Sequence, residues 1–344
     1  MRVVMVVLNW MTTDGLPVPA SAVSTAVAES WRDAAPHVDV TTFALGDGGP
    51  RSADAMAGAR TDLGGVESTQ IVAGVKDGAV ILAPSGHEAR WNPADLATGL
   101  VRLADRARAQ GRTQRVIVPV GDVDCAGDAT ILWGAGESRG ALLETMRSAL
   151  ETLEIVVLTS TDRPLLGFHG MSSALRDGRE ADEALAIAAQ RQEERWTAIA
   201  REVDPLLGRQ MLIGPSRLSD VAGTGAAAGL AYCLGAVGAR VVTDSTGYLA
   251  ELSGVLGALD SEVAVAVAVS PTLTPGVLDH GIASSLARSA SAVAVPVVVI
   301  APEVHVGKRD LMAAGLAASY EAGAGLDALV EQVRRVALTW TPRR

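Results

Sequence analysis

A two-domain α/β protein is predicted, with a parallel-sheet domain assembled from both ends of the chain around a different, α+β middle. Three observations carry this. The run Val263-Ala264-Val265-Ala266-Val267-Ala268-Val269 contains no polar residue, which suits a strand covered on both faces, as parallel sheets are. Met1 to Leu8 is a second such run, and Val277, Leu278, Ile282, Leu286 and Val293, at helical spacing, lead to a third ending at Ile300. Between Val66 and Pro84 the pattern breaks instead into short apolar pieces, the mark of a different sheet. The expected boundaries are 1–64 with 262–344 for the first domain and 65–261 for the inserted one.

At 344 residues the chain is long enough for two domains, and 49% hydrophobic residues supply their cores. Pro271, Pro296 and Pro302 interrupt the longest apolar runs before they reach the roughly 18 residues of a membrane span, so no membrane association is expected. The start could serve as a secretory leader. One basic residue, Arg2, and Asn9-Trp10 in place of a small-residue cleavage site favour a first strand. Cys125 and Cys233 are too few and too far apart for a disulfide framework, so a reducing cytoplasm is the expected compartment. A formal net charge of −10 disfavours nucleic acid as a partner. Lys76 and Lys308 are the only lysines. Codon bias toward arginine explains that, yet it leaves a phosphoryl-transfer enzyme few lysines to use.

Taken in order, Met1 to Leu8 is the first strand and residues 9–19 form the loop at its carboxyl end. Ser21 is expected to cap a helix with Val23, Val27, Ala28 and Trp31 on one face. Val38 to Phe43 is the second strand, ending at Gly46-Asp47-Gly48-Gly49, where Asp47 is a turn residue unless neighbours make it a phosphate or metal site. Lys76-Asp77-Gly78 reads as a hairpin turn, Ala94 to Gln110 as an amphipathic helix and Arg115 to Val120 as a strand. In the loop that follows, Asp122, Asp124 and Asp128 could hold a divalent cation, although the closing glutamate of a calcium loop is missing.

Leu142 to Leu150 is helical and Glu154 to Thr159 a strand, and in the loop Arg163 to Gly170 the pair Phe168-His169 either packs or meets a ligand. Glu180 to Glu202 is a long charged helix with Leu185, Ala189 and Trp196 inward. Gly223, Thr224, Gly225 and Gly229 lie in a stretch so rich in glycine and alanine that it either holds a phosphate on exposed N–H groups or packs tightly against another backbone. It has no P-loop ending and follows no clear strand. Ser270 to Thr274 stands where open parallel sheets bind ligands, yet carries no ionisable group. The tail from Leu311 to Val336 reads as two short helices that close the first domain.

Gly223-Thr224-Gly225-Ala226-Ala227-Ala228-Gly229-Leu230 resembles the Gly-Ala-Gly-Ala-Ala-Gly-Gly-Leu motif of class I glycerate kinases, enzymes that phosphorylate D-glycerate with ATP. Asp47-Gly48-Gly49 stands where that family has Ala-Asp-Gly-Gly-Glu-Gly, and the order of elements agrees along nearly the whole chain. The resemblance implies two lobes: a Rossmann-like parallel-sheet domain from both chain ends and an inserted α+β domain. It also implies ATP and magnesium as cofactors of an active member, with Gly48, Gly49 and the second glycine motif near substrate or phosphate.

The catalytic positions depart from the family. Its Pro-Asp-Ser-Phe-Lys-Gly corresponds here to Val7-Leu8-Asn9-Trp10-Met11-Thr12. Its Thr-Gly-Glu-Gly-Arg-Leu-Asp-Ala-Gln and the Gly-Lys that follows fall on Ala268 to Gly276 and on His280-Gly281, so Glu, Arg, Asp and Lys have become Ser270, Thr272, Thr274 and Gly281. Phosphoryl transfer relies on cations that neutralise developing charge and on carboxylates that orient metal or hydroxyl, and losing one such group costs about 3 to 4 kcal/mol. The expectation is a family member that has lost the reaction and binds a small metabolite or a protein partner, with no cofactor required and a homodimer allowed. The alternative is a working kinase for glycerate or a related hydroxy acid, with Asp47 catalytic and Asp122, Asp124 or Asp128 on magnesium. A third possibility is binding of a hydroxy acid without turnover, for which Arg51, Arg90, Arg163 and Arg217 are the candidates to hold the carboxylate.

Overall fold

The Val263–Val269 strand lies in the middle of a five-stranded, wholly parallel sheet, ordered Ala318–Glu321, Val297–Ala301, Val263–Val269, Arg2–Val7 and Asp39–Ala44. The computed structural model describes residues 1–55, 60–63, 69–72, 78–84, 90–122, 124–134, 138–177, 179, 182–208 and 214–342. The chain divides into two units, the first comprising Met1–Asp47, Ser52–Ala57 and Asp244–Arg344, the second Gly48–Arg51 and Gly58–Thr243.

In the first unit the alternation of valine and alanine sorts the central strand between two cores. Val265, Val267 and Val269, with Val3, Met5 and Val7, pack against Val27 and Trp31 of helix Ala20–Ala34 and Val333 of helix Leu326–Trp340. Ala266 and Ala268, with Val4 and Val6, meet Ile282, Leu286 and Ala290 of helix Ile282–Ser291, which the small alanines let approach closely. Each of these valines is fully buried and contributes roughly 1.5 to 3 kcal/mol, so an aspartate at Val267 would break both the sheet and its cover.

Three sequence expectations need correction in this unit. Ser21 caps nothing: the helix starts at Ala20, whose N–H donates to Asn9 Oδ1 at 2.9 Å. The tail contains a strand, Ala318–Glu321, between helices Lys308–Ala313 and Leu326–Trp340. The chain returns to the first unit at Asp244 rather than at 262, because Ala250, Val255 and Leu259 belong to its core.

The second unit holds a six-stranded sheet ordered Arg240–Val242, Leu153–Leu158, Gln114–Pro119, Val80–Pro84, Thr69–Val72 and Arg60–Asp62. The first four strands run parallel and the last two join antiparallel, which gives the mixed character expected of the middle. The hairpin residues Lys76 and Asp77, and Glu180 at the expected start of the long helix, lie outside the described residues. That helix runs Glu183–Val203 and is capped by Asp182, which accepts from Leu185 N at 3.1 Å. Below it Asp204 is buried and satisfied: Oδ2 accepts from Ser219 N and Oγ, and Oδ1 from the Tyr232 hydroxyl at 2.9 Å. Burial, and then the neighbouring Asp204, push the Tyr232 hydroxyl pKa upward.

Cys125 and Cys233 are buried free thiols, Cys125 pushed up to about 12 by burial and then by Asp124, so neither is a reactive nucleophile. Among the described residues no helix is long and apolar enough to cross a membrane.

Candidate functional site

In the first unit the connections from Arg2–Val7 and from Val263–Val269 leave in opposite directions along the sheet, so the switch point lies beyond Val7 and Val269. The residues gathered on this carboxyl edge are held by their own backbone. Ser270 is buried and its hydroxyl donates to Thr272 O at 2.8 Å. Leu273 bridges to Val304 and accepts from His305 N at 2.9 Å, which pins the loop. Thr274 caps helix Pro275–His280 by accepting from Val277 N at 3.4 Å. A Cβ at Gly281 would stand 2.2 Å from Val277 O, so the backbone has closed over the direction in which a side chain would leave. Asn9 is occupied in starting the first helix.

Asp47 is an acid on this edge, after strand Asp39–Ala44. It is exposed, its side chain accepts from Ser52 Oγ at 3.4 Å, and its carbonyl accepts from the Ser245 hydroxyl at 3.1 Å. Gly46 before it admits no side chain, since a Cβ there would lie 2.2 Å from Ser52 Cβ.

Sequence reasoning missed a polar network built on Asp244, the residue before Ser245. Asp244 Oδ1 accepts from Gly247 N at 3.0 Å and from Ser285 Oγ at 2.7 Å, while Oδ2 takes Arg288 at 2.5 Å. Ser285 and Arg288 lie 41 and 44 residues away, a separation at which no local pattern forms. The one available signal was an aspartate followed by Ser245-Thr246, a helix-start pattern.

The carboxyl edge of the second unit's sheet carries Gly121, whose Cβ would lie 2.7 Å from Gly49 Cα, and the acidic loop after it. Two of the three acids read as candidate cation ligands there are engaged by the protein itself. Asp122 pairs with Arg163 at 3.0 Å, Asp128 takes Thr130 N, Thr130 Oγ1 and Arg195, and no group of three His, Cys, Asp or Glu gathers among the described residues. The two acids are tuned in opposite directions. Partial burial raises the Asp122 pKa, offset in part by Arg163 and reinforced by Asp124. Burial also acts upward on Asp128, but the Thr130 hydrogen bonds and Arg195 outweigh it and lower that pKa.

The glycine motif shows why it needs glycine. A Cβ at Gly225 would lie 2.4 Å from Pro164 O, one at Gly229 2.5 Å from the Trp196 ring, and one at Gly223 2.7 Å from Thr159 Oγ1. Thr224 is fully buried, donating to Val221 O at 2.7 Å and accepting from Leu165 N at 3.1 Å. These are the contacts of tight packing, the second of the two readings open from sequence. Of the candidate arginines, Arg163 pairs with Asp122 and Arg217 with Asp220, and both Arg51 and Arg90 lie at the surface.

A wholly parallel sheet in one unit and a mixed sheet with a tightly packed glycine-rich turn in the other define an α/β protein of two units. The sequence profile described as the glycerate kinase family matches residues 137–339, more than half of the chain, and the chain belongs to that family. Uncharacterized proteins of Mycobacterium bovis and Mycobacterium tuberculosis are each 28% identical over 216 residues, 56% of this chain and 51% of theirs. The chain thus spans about half the length of the curated relatives it matches. The crystal structure of a candidate glycerate kinase 2 from Salmonella typhimurium LT2 superimposes with a TM-score of 0.59 at 20% identity, covering 98% of this chain and 96% of that one, which establishes the shared fold.

Proposed function

We propose that this member of the glycerate kinase family has lost phosphoryl transfer and acts by binding a small metabolite, a hydroxy acid being the class the family suggests, or a protein partner. The observation that carries the reading is the closed loop after the central strand. Where the resemblance places glutamate, arginine, aspartate and lysine, Ser270 and Thr274 spend their hydroxyls on nearby backbone and Gly281 has Val277 O at 2.2 Å from its Cβ position. Preorganised cations and carboxylates are what a transferred phosphoryl group needs, and none of these residues supplies one.

A second reading, an active ATP-dependent kinase of glycerate or a related hydroxy acid, is favoured by one feature, the exposed Asp47 at the end of strand Asp39–Ala44. Magnesium in such enzymes takes one or two carboxylates and otherwise the phosphates themselves, so Asp47 is the residue that would hold it. Thermal-shift titration separates the two. A hydroxy acid that raises the melting temperature while millimolar ATP with magnesium does not supports binding without transfer. A magnesium-dependent rise with ATP, lost in Asp47→Ala, supports the kinase.

A further inference from the structure

Helices Pro93–Ala109, Arg139–Leu150 and Leu230–Ala236 of the second unit, with the turn Ala129–Trp133, enclose a cavity of about 60 Å³. Leu96, Leu100, Leu230 and Cys233 on its wall are at most 1% exposed, while the half-buried Met146 and the exposed Val101 are its outer members. No side chain lining it carries nitrogen or oxygen. Cavities of about 850 and 560 Å³ elsewhere differ in this respect, being lined by arginine and aspartate as well.

The lining selects the occupant. Size alone would admit water, which needs about 10 to 15 Å³, but a buried water also needs about two to four polar partners. The one side-chain donor on the wall, the Cys233 thiol, is directed at Ala129 O at 3.7 Å. A charged guest would lose its hydration here with nothing in return. The wall offers dispersion instead, and the sulfur atoms of Met146 and Cys233 are its most polarisable members.

We propose that this cavity binds a small uncharged apolar molecule, a hydrocarbon of a few carbons or an atom of similar size. The inference is independent of whether the protein transfers phosphate. Xenon is the probe, applied under pressure to the full chain carrying methyl-labelled methionine and read by NMR. Met146 lines the cavity whereas Met312 is exposed, and the signals lost in Met146→Leu and Met312→Leu, both volume-conserving, identify the two methyl groups. With rising xenon pressure the Met146 resonance should move along a saturating curve and the Met312 resonance should not. Ala97→Leu, which fills the cavity from a half-buried position, should abolish that movement, and Val101→Phe does the same from the surface should the first variant fail to fold. A Met146 resonance that moves no more than that of Met312, that moves without saturating, or that moves unchanged in a folded filling variant would overturn the proposal.

Discussion

Two stretches of this chain stand in opposite relation to the glycerate kinase family. Gly223 to Leu230 keeps the family's glycine pattern and is packed on all sides by its own unit, with Pro164 O and the Trp196 ring where side chains would be. Ser270 to Gly281 keeps the position after the central strand and none of the charged residues. The resemblance therefore holds where the backbone has no room for a side chain, and fails in the loop after the central strand. A preserved glycine motif is evidence of architecture before it is evidence of activity.

The comparison breaks first at the glycines. Gly225→Val pushes a Cβ onto a backbone carbonyl that cannot swing away, and a loss of more than about 3 kcal/mol is expected in denaturant unfolding. A loss under 1 kcal/mol, on the order of a surface change, would mean the motif is not confined as described. Next comes Asp204, which ties Ser219 before the motif to Tyr232 after it. Asp204→Ala strands the Ser219 and Tyr232 donors in the interior and should cost about 3 kcal/mol, read as a lower urea midpoint with unchanged slope.

A smaller effect, of opposite sign, is expected within the same motif. Ala228 adopts φ 52°, in the left-handed region, at the position where the quoted family motif has glycine. Ala228→Gly relieves a strain of about 1 to 2 kcal/mol and incurs about 0.5 to 1 in chain entropy, so a net gain of up to about 1.5 kcal/mol should raise the melting temperature. A lower melting temperature would show that the strain is not there.

The smallest effects concern the acidic loop and give only a direction. Asp128 is depressed below its ordinary 3.8, so its contribution is present above that value and lost as pH falls through the folded pKa. Asp122 is raised, so the fold favours its protonated form and stability is lost as pH rises through the folded value. Acid melts should therefore show a shallower decline for Asp128→Asn below about pH 4, while Asp122→Asn is no less stable than the parent near pH 7. A magnesium-dependent melting shift removed by either substitution would support the cation reading of this loop.

Much of the fold was legible because burial on both faces leaves a plain trace: Val263 to Val269 could be placed centrally from its lack of polar residues. Ala318–Glu321 was not legible, since as an edge strand it is only partly buried and spells Ala-Ser-Tyr-Glu, without an apolar run. The return at Asp244 was hidden for a related reason, because helices Ser245–Leu252 and Val255–Ala258 are short and look alike in either unit. At the site, the absence of charge from Ser270 to Thr274 could be read directly, while Asp244 with Ser285 and Arg288 could not, being a product of tertiary structure. Glycine spacing revealed that space was short near Gly225, not what occupied it.

The central claim is loss of phosphoryl transfer, and ADP release measured with pure protein, MgATP and D-glycerate addresses it most directly. The account predicts ADP formation no faster with glycerate than without it. Glycerate-dependent turnover that disappears in Asp47→Ala would contradict it.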